Sequence, residues 1–303
     1  RAQLGTPSPT GKGVPSALDA HREYTNARQA DLGLRPHGGT LGYLDLPGDE
    51  GEAIARAYDE LPHAPDDPAV KASYDAFKRE ILDQYNYLTE RGIRFEPWTQ
   101  DGQPYANSGE MLKDVEENGR LKFFLTEEGF GQGEELVGNP LLERTGIMLA
   151  GKEMTFNDLF RGVHDYMGHA AGGFSFGPRG EHNAWAAHMP TFSEAARPAM
   201  SMETRGQNSW VNFRQGLRRE DGSFPARGDE DFVPLEDRPF AEQKTNILPT
   251  EYLDTRPAAA RVRTADLAFI DAVNKNDGAT FTPQGEDLAG RPLFPQHIVT
   301  GGF

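Results

Sequence analysis

The sequence lacks cysteine altogether and has no long hydrophobic run. Without cysteine the chain can form no disulfide, and it has neither a thiolate nucleophile nor a thiolate metal ligand. Any bound metal ion must therefore be held by nitrogen and oxygen atoms. No apolar stretch approaches the roughly 18 residues of a membrane-spanning helix, so we expect no membrane segment. No signal-peptide pattern follows Arg1, and secretion is not expected.

Basic side chains are scarce relative to acidic ones. The chain has 31 lysines and arginines against 47 aspartates and glutamates, which gives a formal net charge of −16. This charge would repel a phosphate backbone, so we do not expect nucleic acid as a partner. Hydrophobic residues make up only 37% of the chain, and 34 glycines with 22 prolines indicate many loops.

The spacing of apolar residues predicts a mainly helical α+β fold. The clearest helix lies in DDPAVKASYDAFKREILDQYNYLTERG, where apolar residues recur every three or four positions. IRFEPW and LKFFLT are strand candidates because they carry β-favouring aromatic residues. A chain of 303 residues suits one large domain. We therefore expect an extended arm over 1–17, rich in Gly, Pro, Ser and Thr, and a single globular domain with loop-rich termini over 18–303.

Three more helices are predicted in the second half of the chain. Thr191 and Glu194 form a T-x-x-E capping box for a helix over about 192–212, although Pro198 would delay or bend it. The segments FAEQKTNILPTEYL and RTADLAFIDAVNKNDG are the other two. The last 30 residues are rich in Gly and Pro signals and are expected to form a tail.

Histidines are concentrated in TFNDLFRGVHDYMGHAAGGFSFGPRGEHNAWAAH, residues 155–188. Four of the eight histidines of the chain lie here, together with Asp165, Glu181 and four closely spaced glycines. A histidine with an ordinary pKa near 6.5 is mostly neutral at pH 7 and offers a nitrogen lone pair. Clusters of such groups beside carboxylates are typical of metal or acid–base sites. We therefore expect a metal-site core at about 155–212.

The first two histidines of this segment, His164 and His169, are five positions apart. In a regular α-helix this spacing separates their side chains by roughly 140°, so they would not share a face. Two local structures would bring them together: a π-bulge, which aligns residues i and i+5, or a last turn loosened by Gly168. The alternative is two separate buried histidines, each satisfied by a backbone carbonyl.

Carboxylates follow on the next predicted helix. Glu181, Trp185 and His188 lie at i, i+4 and i+7, so Glu181 and His188 could face the same cavity as the first two histidines. Equally open is an arrangement with His182 and His188 on the surface and only Trp185 packed inward.

A second polar face is predicted further along the chain. Glu203, Gln207 and Trp210 also lie at i, i+4 and i+7, which places a carboxylate, an amide and an indole on one side of a helix. This face is either part of the site or exposed to solvent. Asp165, next to the first histidine, could orient a neighbouring imidazole as an outer carboxylate.

The run F-R-G-V-H-D-Y-M-G-H resembles the iron-binding helix of the aromatic amino acid hydroxylases, in which H-E-L-L-G-H supplies two histidine ligands and a glutamate follows some forty residues later. The resemblance implies that His164 and His169 are metal ligands and that Gly168 matches the family's glycine. Asp165 stands where that family has glutamate. Glu203, 34 residues after the second histidine, is implied as the third ligand.

A longer set of segments resembles proteins of bacteriophages and mobile elements. It comprises VHDYMGHA, GEHNAWAAH, METRGQNSWVNF and AEQKTNILPTEY, spread over about 100 residues. This resemblance implies a cytoplasmic or virion-associated chain, associated with a larger phage particle or released from a polyprotein.

These patterns predict a mononuclear metalloenzyme with Fe(II) or Zn(II) as its cofactor. Two histidines and a carboxylate form the ligand set of non-haem iron oxygenases and also of catalytic zinc sites. Oxygenase-like chemistry on a small or polymer-attached substrate is our first prediction, with Asp165 and Glu181 as catalytic residues. Arg179, in a glycine-rich loop, is a candidate for binding an anionic substrate.

Two other functions remain open from the sequence. In an HD-type hydrolase, the pair His164–Asp165 would bind metal with an upstream histidine and a downstream aspartate, for which His63 and either Asp254 or Asp271 are available. The other alternative is a structural or virion protein, whose histidines hold a structural metal or none.

Overall fold

The computed structural model of the protein describes residues 16–31, 48–126, 138–226 and 228–253. Within these residues the fold is mainly helical with short strands, which confirms the predicted α+β class. The predicted arm, except for its last two residues, lies outside the described residues, as do the predicted helix RTADLAFIDAVNKNDG and the C-terminal tail. No helix in the described part is long and apolar enough to cross a membrane.

In the described residues, three helices precede the four strands, one helix lies between the first two strands, and shorter helices follow the last strand. The α-helices are α1 (Ala17–Asp31), α2 (Gly48–Glu60), α3 (Pro68–Glu90), α4 (Ser108–Asn118), α5 (Phe156–His164), α6 (Pro178–His188), α7 (Arg197–Ser201) and α8 (Gln207–Phe213). Two π-helical segments are present, Asp165–Ala170 and Met202–Gly206. The strands are β1 (Arg94–Trp98), β2 (Arg120–Phe124), β3 (Arg144–Leu149) and β4 (Lys152–Thr155).

Helix α3 forms the centre of the main hydrophobic core. Asp67 caps its first turn by accepting hydrogen bonds from the backbone N–H groups of Ala69 and Val70. Its apolar stripe is buried, and the Phe77 ring packs edge-on against Phe160 of α5 at 4.7 Å between ring centroids. This contact fixes α5 over α3, and α5 carries the first histidine of the cluster.

The strands form two small sheets beside the helices. Strands β1 and β2 pair in parallel, with Phe95 opposite Leu121, and α4 connects them. The antiparallel hairpin of β3 and β4 was not predicted, because its strands are short and its tip depends on backbone conformation. The tip residues Ala150 and Gly151 both have positive φ, of 50° and 81°. The last residue of β4 is the cap of α5.

Two predictions for the second half of the chain are wrong. The Thr191 hydroxyl donates to the carbonyl of His188 at 2.7 Å instead of capping a helix. The helix itself is present with the delayed start that Pro198 predicts: α7 begins at Arg197, with Pro198 in its first turn, and the run continues through the π segment and α8 to Phe213. The segment FAEQKTNILPTEYL forms neither an α-helix nor a strand and contains only a 3₁₀ turn at Thr250–Tyr252.

Candidate metal centre

Helix α5 starts at a capping box that sets its direction. The Thr155 hydroxyl accepts from the N–H of Asp158 at 3.1 Å, and the Asp158 carboxylate accepts from the N–H of Thr155 at 2.9 Å. Asp158 also accepts from the N–H and the hydroxyl of Thr126, both at 2.7 Å. Burial opposes its ionisation, but these hydrogen bonds lower the pKa of the Asp158 carboxyl. The anchored N-terminus directs the other end of α5, at His164, into the core.

The chain widens into a π-helix directly after His164. The π segment covers Asp165–Ala170, so His169 comes round to the same side as His164. The two imidazole rings lie 5.3 Å apart between centroids, nearly perpendicular to each other. The π-bulge predicted from the i, i+5 spacing is therefore confirmed.

Gly168 allows α6 to pack directly onto the π segment. A Cβ at this position would lie 3.0 Å from the backbone oxygen of Ala184 and 3.2 Å from Cε1 of His164. Both contacts are tight, and the first involves backbone that cannot rotate away. Gly168 therefore allows α6 and the His164 ring to pack closely against the π segment, in addition to any effect on the conformation of that segment.

We expect Gly168→Ala to destabilise the protein by roughly 1–3 kcal/mol, because the added methyl group must push α6 or the His164 ring aside. Urea denaturation monitored by circular dichroism measures the change. Gly216→Ala is the matched control, since no atom lies within 4 Å of a Cβ there. Equal stability of the two variants would contradict the packing role of Gly168.

Glu181 on α6 completes a group of three potential metal ligands. Its Oε2 atom lies 3.3 Å from Nε2 of His169 and 3.9 Å from Nε2 of His164. One ligand atom from each residue falls within 4.8 Å of the others, and no other such group occurs among the residues that the structure describes. His169 is 1% exposed, whereas the Glu181 side chain is 29% exposed. The group is thus buried on one side and open to solvent at the carboxylate.

The hydrogen bonds of His169 leave its second nitrogen facing the carboxylate. Nδ1 lies 3.2 Å from the carbonyl oxygen of Phe174, which can only accept, so Nδ1 carries the hydrogen. In a neutral ring, Nε2 then presents a lone pair to Glu181. Burial opposes charge on both groups, but their mutual attraction raises the pKa of His169 to about 8 and lowers the pKa of Glu181 to about 2. A positive charge, carried by a proton or by a metal ion, is therefore favoured between His169 and Glu181.

His164 offers a buried nitrogen without a hydrogen-bond partner. Its Nε2 atom is inaccessible to solvent and forms no hydrogen bond with a described residue, and Oε2 of Glu181 lies 3.9 Å away. Burial lowers the pKa of the ring, so it is neutral at pH 7. A buried nitrogen of this kind needs a partner, and a metal ion or an ordered water would supply one. These features fit a cation bound between His164, His169 and Glu181.

His188 and His182 lie outside this group. Both are fully buried, so the alternative that places them on the surface is wrong. The Nδ1 atom of His188 is 3.0 Å from Nδ1 of His164, which makes it a neighbour behind that residue. His182 stacks on Trp185 at 5.5 Å, and burial lowers its pKa to about 3.

Glu203, the predicted third ligand, is not brought to the two histidines. It lies in the π segment Met202–Gly206, where it accepts hydrogen bonds from the Tyr74 hydroxyl and from Nε2 of Gln207, the latter at 2.8 Å. The shared side predicted for Glu203 and Gln207 is thus observed, but it forms a separate polar cluster. The physical reason is that α6, and not the helix after it, packs on the first π segment.

The remaining predicted site residues have different surroundings. Asp165 directly follows His164 and is half-buried, and burial raises its pKa to about 7. Arg179 lies in the first turn of α6, two residues before Glu181, and is half-buried. His63 accepts a hydrogen bond from the N–H of Thr245 at 3.0 Å and is not in the metal group. Asp254 and Asp271 lie outside the described residues.

Three neighbours of the site were missed by sequence reasoning: Phe174, Gln84 and Thr191. Gln84 had a usable signal, because it lies between Ile81 and Leu88 on the buried stripe of α3 and is 0% exposed. A polar side chain on an apolar stripe needs a polar partner inside the core. Phe174 acts through its backbone carbonyl, so its residue type carries no signal.

Comparison with known proteins finds no match for this chain among family models, curated proteins or solved structures. Function is therefore inferred from the arrangement of side chains alone.

The arrangement suits a mononuclear ion with free coordination positions. Two imidazoles and one carboxylate would supply three ligands, which would leave further coordination positions of an ion for water or substrate. Aromatic rings line the protein side: Phe176 lies 4.9 Å from the His169 ring and Phe160 lies 5.6 Å from the His164 ring.

Proposed function

We propose that the protein is a mononuclear non-haem metal enzyme in which His164, His169 and Glu181 bind one divalent ion. The observation that carries this proposal is the convergence of a carboxylate and two imidazoles, one of them with a buried nitrogen that no described atom satisfies.

We infer that iron(II) is the ion and that the chemistry is oxygenase-like. Two histidines and one carboxylate on one side of an ion, with open positions opposite, are the ligand set of non-haem iron oxygenases. Iron in this site would supply dioxygen activation for oxidation of a small or polymer-attached substrate. The aromatic walls of Phe160 and Phe176 would exclude water from the reacting atoms.

A zinc-dependent hydrolase is the second candidate, and Asp165 is the observation that favours it. Burial raises the pKa of this carboxyl to about 7, so it can accept or release a proton near neutral pH. In a zinc enzyme, a carboxyl group of this kind could act as the general base for attack by water. An association with phage particles remains a proposal that rests on the sequence resemblance.

The deciding experiment is elemental analysis of protein purified without added metal, followed by anaerobic reconstitution with iron(II). We expect about one ion per chain. Nitric oxide added to the iron form should give the electron paramagnetic resonance signal of a spin-3/2 iron nitrosyl, because the open positions admit a diatomic ligand. Protein that retains zinc, gives no nitrosyl signal and hydrolyses ester or phosphoester probes would favour the second candidate.

His164→Ala is the control for specific binding at this site. It removes one ligand without adding charge, and we expect it to lose the stoichiometric ion. If the wild-type protein binds no metal, or if His164→Ala binds as much as the wild type, both enzyme proposals fail.

A further inference from the structure

A row of hydrogen-bonded side chains continues from His164 into the core. Nδ1 of His164 lies 3.0 Å from Nδ1 of His188, and Nε2 of His188 lies 2.7 Å from Oε1 of Gln84. The Gln84 Nε2 atom donates to the Thr191 hydroxyl at 3.0 Å. His188, Gln84 and Thr191 are each 0% exposed. The row connects α5, α6 and α3 behind the proposed ligands and does not touch the ion position.

The hydrogen position on the Thr191 hydroxyl determines the orientation of the Gln84 amide. This hydroxyl has a single hydrogen, which it donates to the carbonyl oxygen of His188 at 2.7 Å. Its oxygen can therefore only accept from Gln84, so the NH₂ end of the amide must face Thr191. The amide oxygen then faces His188.

The orientation of the amide in turn decides which nitrogen of each histidine carries a hydrogen. An amide oxygen only accepts, so Nε2 of His188 must be the donor to Gln84. In the neutral ring, Nδ1 of His188 is then an acceptor, and the hydrogen between the two rings must sit on Nδ1 of His164. A neutral His164 protonated at Nδ1 has its lone pair on Nε2, the atom that points toward Glu181.

The surroundings of His188 favour a neutral ring. It stacks on Phe160 at 5.9 Å and lies 4.8 Å from the Phe192 ring, with no carboxylate among its hydrogen-bond partners. A buried imidazolium between two aromatic rings and a second imidazole would lack a counter-charge.

We propose that Gln84 and Thr191 are positioning residues that act through His188 to hold His164 in the tautomer with a hydrogen on Nδ1, which leaves Nε2 free to bind metal. The role of this tautomer in metal binding rests on the proposed function, but the hydrogen bonds that fix the tautomer of His164 are present in the metal-free protein. Outer partners of this kind orient a histidine ligand, and their loss typically costs about 10–100-fold in metal affinity.

The test is ¹⁵N NMR of histidine-labelled, metal-free protein, in which the two ring nitrogens report which one is protonated. We expect wild-type His164 to carry its hydrogen on Nδ1, with the resonance assigned by its loss in His164→Gln. In Gln84→Leu we expect a mixture of the two tautomers, because the acceptor that fixes His188 is gone. His21, whose Nε2 lies 2.8 Å from the carbonyl oxygen of Ala187, should keep its hydrogen on Nε2 in both proteins.

Thr191 offers a matched pair of variants that spares the ligands. Thr191→Val keeps the shape but removes the hydroxyl, whereas Thr191→Ser keeps the hydroxyl. With Co(II) as the probe, titrated by visible absorption, we expect Gln84→Leu to bind about 10–100-fold more weakly than the wild type. Thr191→Val should also bind Co(II) more weakly than the wild type, and the Co(II) affinity of Thr191→Ser should stay within about threefold of the wild-type value. Circular dichroism confirms that each variant is folded.

The tautomer of His164 and the binding of metal are decided by different measurements. A wild-type His164 with its hydrogen on Nε2 overturns the inference, even if the protein binds metal. So does a Gln84→Leu or Thr191→Val variant that is folded and keeps both the wild-type tautomer and the wild-type Co(II) affinity. A wild-type protein that binds no metal overturns the proposed function, whereas the NMR measurement still decides the tautomer.

Discussion

Glu181→Gln should weaken metal binding by at least about a hundredfold, whereas Glu203→Gln should leave it within about threefold of the wild type. The loss of an outer partner typically costs about 10–100-fold, and the loss of the only charged ligand should cost more. Glu181 Oε2 lies 3.3 Å and 3.9 Å from the two imidazole nitrogens, while Glu203 bonds to Tyr74 and Gln207. The two variants make the same chemical change at the two carboxylates that could supply the third ligand.

The measurement is competition between the protein and a chelator of known affinity, with Co(II) or iron(II) under anaerobic conditions. Glutamine keeps the size of the side chain, so a loss of affinity reports the charge and its ligand oxygen. The opposite result, with weak binding by Glu203→Gln and wild-type binding by Glu181→Gln, would restore the ligand set implied by the resemblance to the aromatic amino acid hydroxylases. It would also require α6 to move away from the histidines.

Part of the site could be predicted from the sequence because it is local. The five-residue spacing of His164 and His169 allows few backbone solutions, and the π-helix at Asp165–Ala170 is one of them. The fold class followed from apolar periodicity, and the two strands β1 and β2 followed from their β-favouring aromatic residues. In each case the decisive interactions lie within a few residues along the chain.

The identity of the third ligand could not be predicted because it depends on how two helices pack. Glu181 and Glu203 both follow the histidines on helices, and their spacing does not say which helix meets the first π segment. Close contact of Ala184 with Gly168 decides this, and it is a property of the tertiary fold. The outer row beyond His188 likewise depends on α3, about a hundred residues earlier in the chain, at Gln84.

Glu203 was predicted as a metal ligand but lies in a separate cluster with Tyr74 and Gln207. Burial in that cluster shifts the pKa of its carboxyl group. Burial raises its pKa to about 7, although hydrogen bonds from Tyr74 and Gln207 act to lower it. The unfolded chain has the ordinary pKa of 4.5 for this group. The folded protein therefore binds its proton more tightly than the unfolded chain does. The contribution of this proton to the free energy of unfolding is fully present below about pH 4.5 and is lost as the pH rises through 7.

We therefore expect Glu203→Gln to become more stable relative to the wild type as the pH rises from about 4.5 to 8, by roughly 3 kcal/mol over the whole range. The magnitude follows from the difference between 4.5 and about 7, at 1.36 kcal/mol for each pKa unit. Urea denaturation of metal-free protein at a series of pH values measures it, and taking the difference between variant and wild type removes the titration of all groups that they share. Glu194→Gln, at an exposed position, controls for the change in net charge. A difference between Glu203→Gln and the wild type that stays constant with pH would mean that Glu203 titrates alike in the folded and unfolded chains, so that its contacts with Tyr74 and Gln207 offset its burial.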